Sequence, residues 1–299
     1  MIKTTVSFLA GMSALAFTAG ALSAQTILFQ ETFENSTVGQ GPGTANWDQW
    51  DVNFVAGTFA DRSLAVHSDP DGTVFGSGPN QFLRVQNGTN YTFGKELAGF
   101  NTQVITLSFD YIPRANTGGY GNRWLNVQFY GENPDPAVTA IITNVNRQHV
   151  TGIQANNQTI RPDANATPGP VTAVSFADSL NTLTRFDIIL NNSNSQVSYF
   201  VGDDERSLAS GLAAVWVNGT THLLDYNSVR VLAGSIGMDI AAFAFVQDNN
   251  ANRSSYDIDN ITVFDGAVVG AVIPEPSTYA LFFGGIALAG AVYLRRRRS

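Results

Sequence analysis

Val104-Ile105-Thr106-Leu107-Ser108-Phe109-Asp110-Tyr111-Ile112 alternates apolar and polar side chains. Ile105, Leu107, Phe109 and Tyr111 fall on one side of an extended chain, and Thr106, Ser108 and Asp110 on the other. That period of two is the mark of a half-buried strand.

The same pattern spreads outward in both directions. Trp124–Tyr130 sets Leu125, Val127 and Phe129 against Asn126 and Gln128, and Ile27–Phe33 and Gln81–Gln86 read as further strands. Arg185–Leu190 and Gln196–Val201 flank Asn191-Asn192-Ser193-Asn194-Ser195, residues that tolerate left-handed backbone and predict a hairpin turn. Ala213–Val217, Ser235–Val246 and Ser255–Phe264 complete the set. Long loops are expected at Asn35–Asn46, Asp69–Asn80, Ala115–Arg123, Asn156–Pro170 and Gln247–Ser254. The sequence therefore predicts an all-β body without internal repeats, taken as one domain over residues 25–265. Pro168-Gly169-Pro170 does not divide it, because the text on both sides is alike.

The two ends of the chain have a different character. Lys3, the apolar and small run Val6–Leu22, and Ala21-Leu22-Ser23-Ala24 predict a signal peptide over residues 1–24, cut ahead of Gln25. Gly266–Ile273 reads as a short spacer. Pro274-Glu275-Pro276 follows, then the apolar run Thr278–Leu294 and Arg295-Arg296-Arg297-Arg298. Seventeen residues at helical rise span about 25 Å, a minimal membrane helix. Four arginines are costly to translocate and hold that end in the cytoplasm.

Residues 274–299 resemble the PEP-CTERM sorting tail of Gram-negative bacteria. The resemblance implies delivery through the Sec translocon, a transient inner-membrane anchor with the body in the periplasm, and processing by an exosortase. It also implies association with exopolysaccharide and a final place at the cell surface or in the extracellular matrix.

Without Lys3, Arg295–Arg298 and Glu275, 11 of the 16 basic and 23 of the 24 acidic residues remain, a net charge of −12 for the body. Lys95 is its only lysine. Phosphate binding needs a basic patch, so nucleic acid is excluded as a partner. The chain has no cysteine, so disulfides, a Cys nucleophile and thiolate zinc sites are excluded, and a hydrophobic core must hold the fold. Asn-x-Ser/Thr triplets such as Asn87-Gly88-Thr89 and Asn218-Gly219-Thr220 follow from composition and are not read as glycosylation sites.

The body opens with Leu28-Phe29-Gln30-Glu31-Thr32-Phe33-Glu34-Asn35 and closes with Tyr256-Asp257-Ile258-Asp259-Asn260-Ile261-Thr262-Val263-Phe264. This pair is similar to the first and last strands of jelly-roll β-sandwiches of the carbohydrate-binding-module and concanavalin-like type. The resemblance implies that the two strands lie side by side. It also implies a structural calcium, with Glu34 matching the opening-strand ligand and Asp259 the closing-strand one. On the residues alone, Glu34 also reads as a strand-end surface acid, and Asp259 as an outward residue in a turn bond.

No catalytic constellation is legible. There is no Glu-x-Asp-x-Glu strand, no Gly-x-Ser-x-Gly elbow and no paired-histidine zinc spacing among His67, His149 and His222. Asp203-Asp204-Glu205 reads as a solvated hairpin turn, and Asp69-Pro70-Asp71-Gly72 as a Pro-nucleated turn without the later ligands of a calcium loop. Tyr120 and Trp124 bracket Gly121-Asn122-Arg123 and are candidates for stacking on sugar rings, although large aromatics more often belong to the core. The sequence thus points to an exported, non-enzymatic surface or matrix protein. A lectin-like glycan binder and an exported glycan-active enzyme on the same scaffold are the alternatives.

Overall fold

The computed structural model describes residues 26–40, 51–54, 63–76, 79–88, 91–97, 102–114, 124–131, 147–154, 159–162, 174–175, 180–227, 236–247 and 254–270. These are all strand, turn or irregular, with no helix among them. In chain order the strands are β1 Ile27–Glu31, β2 Asp51–Phe54, β3 Ser63–Asp69, β4 Asn80–Gly88, β5 Tyr91–Glu96, β6 Val104–Pro113, β7 Trp124–Gly131, β8 Arg147–Gln154 and β9 Thr159–Pro162. There follow β10 Val174–Ser175, β11 Thr184–Asn191, β12 Val197–Val201, β13 Asp204–Leu208, β14 Leu212–Val217, β15 Thr221–Asn227, β16 Ile240–Gln247 and β17 Ser254–Asp265.

Two large antiparallel sheets form a sandwich-like arrangement. One runs β15-β14-β11-β6-β17-β4-β3, with β1 also on β17, and the other runs β10-β9-β8-β7-β16-β5-β2. The alternation of β6 is realised as expected: Ile105, Leu107, Phe109 and Tyr111 enter the core between the sheets. Phe186, Ile188 and Leu190 of β11 join them from the same sheet, and Leu125, Val127, Phe129, Phe243 and Phe245 from the other. Phe109 meets Phe245 edge-on at 5.3 Å between ring centroids, and Phe29 lies 5.7 Å from Phe243. Such ring pairs add to the burial of large apolar area that drives the two layers together.

The outer face of the first sheet is also covered. The β12–β13 hairpin lays Tyr199 and Leu208 over Ile189, Ala214 and Trp216, and the Trp216 indole N–H reaches the Tyr199 hydroxyl at 3.2 Å. Residues 266–270 lie over the same face, with Ala267 and Val269 packed on this cluster.

Several expectations need correction. The turn Asn191–Ser195 exists, but the strands it joins do not pair. β11 lies between β6 and β14, whereas β12 pairs with β13 in a separate ribbon. Asn191 makes the step, its amide donating to the carbonyls of Ser195 and Leu208 at 2.9 Å each. The loop expected over Asn156–Pro170 contains β9. The strand expected from Ser235 begins at Ile240. Asn218-Gly219-Thr220, read only as a composition triplet, is the tight turn between β14 and β15, with Asn218 at φ 53° and Gly219 at φ 67°. The signal segment 1–24, the Pro168-Gly169-Pro170 stretch and the tail 274–299 lie outside the described residues.

Candidate functional site

The opening and closing strands do lie side by side, antiparallel, with Phe29 opposite Val263 and Glu31 opposite Ile261. β17 pairs with β4 along its first half, where Tyr256 faces Val85 and Ile258 faces Leu83. Its other flank pairs throughout with β6. Two strands thus share one edge of β17 in succession, and the handover falls between Ile258 and Ile261.

Asp259 and Asn260 occupy that handover. The ladder to β6 bulges between Asp259 and Thr262, and Asn260 takes a left-handed φ of 49°. Asn and Gly accept that conformation at least cost, which explains an Asn here. The Asn260 amide donates to Asp110 Oδ2 at 2.8 Å. The chain bends sharply after β1 through Phe33, fully buried at φ 59°, whose N–H donates to Glu31 Oε1 at 2.6 Å. This bend delivers Glu34 to the start of β4. Glu34 Oε1 accepts the Gln81 N–H at 2.9 Å, and its carbonyl accepts from Gln81 Nε2 at 3.2 Å.

The structure therefore brings Glu34 and Asp259, far apart in sequence, into one neighbourhood with Asn80 and Gln81. Asn80 Nδ2 donates to Asp259 Oδ2 at 2.7 Å, while Asp259 Oδ1 and Gln81 Oε1 are buried with no hydrogen-bond partner. Burial raises the Asp259 carboxyl to about 8; Asn80 and the Asn260 N–H oppose this, and the nearby Asp110 and Glu34 carboxylates add to it. An all-oxygen set with an orphaned buried carboxylate oxygen suits a hard cation such as calcium. Among the described residues no group of three or more His, Cys, Asp and Glu side chains converges, so such a cation would also need amide and carbonyl oxygens. Asn80 and Gln81 were missed from sequence because nothing local ties them to Asp259, which is 179 residues from Asn80.

A second polar cluster shares this face of the sheet. Asp257, fully buried, is held by Arg84 through Nε at 2.6 Å and Nη2 at 2.8 Å, and by Arg114 through Nη2 at 2.6 Å. Asp110 stands directly opposite Asp259 across β6 and β17. Burial pushes the Asp110 carboxyl up, and Arg185 and Asn260 pull against that shift. Opposed residues on neighbouring strands place their Cβ atoms about 5 Å apart, the range in which two acids could flank a glycosidic bond. Asp259 is wholly buried and Asp110 is 9% exposed, so both are enclosed by protein, as structural polar groups are.

Of the acids expected in turns, Asp203 and Asp71 lie in turns, whereas Asp204 and Glu205 open β13 and Asp69 ends β3. Asp203 follows Gly202 at the tip of the β12–β13 hairpin, with Asp204 and Glu205 exposed at the start of β13. Asp69 caps its own loop, accepting the Thr73 N–H at 3.1 Å and the Val74 N–H at 2.7 Å. His67 stacks on Phe82 at 5.9 Å; burial lowers its pKa, and Arg84 adds to this. Tyr120 lies outside the described residues, and Trp124 is described only as the first residue of β7.

Residues 272–298 match the PEP-CTERM protein-sorting motif. The chain carries this sorting signal. The match covers Pro274, Glu275, Pro276 and Arg295, Arg296, Arg297 and Arg298, and the motif implies export, a transient hold at the membrane and exosortase processing. No helix among the described residues is long and apolar enough to cross a membrane. No curated protein matches the sequence.

Among solved structures, the chain is similar to a carbohydrate esterase from the Shiga toxin-encoding bacteriophage phi24B, at 9% identity and a TM-score of 0.48, covering 81% of this chain and 100% of that one. It is also similar to the cellulose induced protein Cip1 (13% identity, TM-score 0.47, 81% and 99% covered). A third likeness is to the potassium-bound carbohydrate recognition domain of Emp46p (10% identity, TM-score 0.41, 75% and 91% covered). At these scores the likeness is one of shape and extends no further.

Proposed function

We propose that this is an exported, non-enzymatic protein of the cell surface or extracellular matrix, sorted by an exosortase and associated with exopolysaccharide. The observation that carries this reading is the sorting motif at 272–298 directly following a folded β-sandwich. Residues 1–24 serve as the Sec signal peptide, and Thr278–Leu294 holds the precursor in the inner membrane with the body outside the cytoplasm. The sandwich is a jelly roll whose first and last strands meet, which sets the start of β1 beside the end of β17 and suits a domain tethered by its C-terminus. The decisive measurement is the mass of the mature C-terminus together with the cell fraction that contains it. A surface or matrix form ending near Pro274 supports the proposal, and an intact tail on a cytosolic protein refutes it.

In this reading a structural calcium sits between Glu34 and Asp259, supported by the orphaned oxygens of Asp259 and Gln81. Its role is to bind the handover point of β1 and β4 on β17, not to act on a substrate. Tyr120 and Trp124 are the residues assigned to glycan contact. Affinity electrophoresis of the mature body in polysaccharide gels, with and without Trp124→Ala, tests that assignment; equal mobility in every gel rejects it. A glycan-active enzyme is the less favoured alternative, because the one opposed acid pair on the described sheet is enclosed.

A further inference from the structure

The fold continues past β17. Residues 266–270 run on as a strap over the outer face of the first sheet. The Gly266 N–H donates to the Val104 carbonyl at 2.7 Å, and the Thr106 hydroxyl donates to the Gly266 carbonyl at 2.8 Å. The same hydroxyl oxygen accepts the Val268 N–H at 2.9 Å, and Asp187 Oδ2 accepts the Gly270 N–H at 3.0 Å. Every second N–H of the strap is thus given to the body, at positions 266, 268 and 270. Val268 is buried, and Ala267 and Val269 pack on the cluster around Tyr199 and Trp216. Gly270 meets the β14–β15 turn, where a Cβ on Gly219 would lie 3.0 Å from the Gly270 Cα. Only Ala271 stands between this docked strap and the motif matched at 272–298.

An extended peptide is recognised largely through its own backbone N–H and C=O groups. In the strap those groups are already engaged by Val104, Thr106 and Asp187. A cut within residues 266–270 therefore requires the strap to leave the body first. Leaving exposes Val268 and takes one donor from Asp187, whose side chain is wholly buried. Cleavage of such a segment follows the population of its open state, which these contacts keep small.

We propose that the docked strap sets the upstream limit of proteolytic processing. The peptide bond cut during sorting lies beyond Gly270, and the mature protein keeps residues 266–270 docked as its C-terminal segment. In that cut a nucleophile adds to the scissile carbonyl carbon and the C–N bond breaks. The nucleophile's proton passes to the departing amine of the tail. This inference rests on the sorting-tail reading given above.

Proteinase K digestion of full-length precursor in detergent tests the limit, with the C-terminal fragment of the body identified by mass. The expected fragment retains Gly270. Thr106→Val removes the hydroxyl that bonds both Gly266 and Val268, and Val268→Ala removes buried contact. Each should speed trimming into residues 266–270 by about tenfold. Amide hydrogen exchange should quicken at positions 266, 268 and 270 in the same variants, while β6 and β11 stay protected. That second readout separates a loosened strap from an unfolded body. Wild-type protein trimmed to Asp265 as fast as it loses its tail overturns the proposal, as do variants with unchanged trimming and exchange. In cells, a mature C-terminus upstream of Gly270 overturns the limit and leaves the sorting reading intact. A mature protein that keeps the whole tail refutes the sorting reading, and the limit on processing falls with it.

Discussion

Asp259 of β17 and Asp110 of β6 face each other directly across an antiparallel ladder, one wholly buried and the other 9% exposed. Like charges so placed repel. Asn80 and Asn260 each donate to one member, at 2.7 and 2.8 Å, and Arg185 Nη1 lies 3.4 Å from Asp110. Because burial raises the Asp259 carboxyl to about 8, a proton on that residue relieves the pair in the metal-free protein.

This sets a pH dependence. The folded pKa of Asp259 lies above its unfolded value near 4, so the folded state holds a proton that the unfolded state has lost. Metal-free stability should fall as pH rises from about 4 to about 8, by at most about 1.4 kcal/mol per pH unit for one proton. Thermal melting of the mature body in chelator should show the slope, and Asp259→Asn should flatten it. A slope unchanged by that substitution assigns the effect elsewhere.

Calcium binding would act on the same group. A cation favours the ionised carboxylate, so added calcium should raise the melting temperature more at pH 8 than at pH 5. Glu34→Gln and Asp259→Asn should each remove the rise. Identical melting curves with calcium and with chelator at pH 8 would reject a structural ion at this position.

Asp257 is the most heavily bonded buried charge described. Asp257→Ala leaves Arg84 and Arg114 without their shared carboxylate, and removing one partner of a buried ion pair costs about 3–5 kcal/mol. Both arginines reach solvent in part, at 30% and 24% exposure, so the expected loss lies near the lower end, about 3 kcal/mol. Urea unfolding at pH 7 measures it, and a loss under about 1 kcal/mol contradicts the role assigned to the network.

Asn260 separates backbone from side-chain contributions. Asn260→Gly keeps the left-handed conformation and loses the bond to Asp110, for an expected cost of about 1 kcal/mol. Asn260→Ala loses the bond and also strains the backbone, so it should cost about 1 kcal/mol more. Equal losses for the two variants would mean that the bulge relaxes freely.

Gly94 marks a close approach inside the second sheet. A Cβ there would meet the Phe243 carbonyl oxygen at 2.3 Å and the Ala244 Cβ at 2.6 Å. Gly94→Ala must therefore shift β5 against β16, with an expected loss of about 1–3 kcal/mol by chemical denaturation. A neutral effect would indicate that the strands separate without cost.

The sequence by itself determined the class of fold and the sorting signal. Period-two alternation in Ile105–Tyr111 needs no partner to be recognised, because it records which face each residue presents to its own backbone. The Pro-Glu-Pro, apolar and arginine order of the tail is likewise a local signal, as is the turn chemistry of Asp203 and Asp69. Weaker local signals of the same kind are the alternation of Leu64 and Val66 in β3 and the Asn-Gly pair opening the turn before β15. Pairing was a different matter. Asn191–Ser195 looks like any hairpin turn, yet β11 and β12 part company because β6 and β14 claim both edges of β11. Only the tertiary structure placed the ends of β1 and β4 on the same flank of β17, gathered Glu34, Asn80 and Gln81 around Asp259, and fastened residues 266–270 to Thr106 and Asp187. Those contacts join residues as far apart as Asn80 and Asp259, and their selection depends on competition among strand edges across the whole chain.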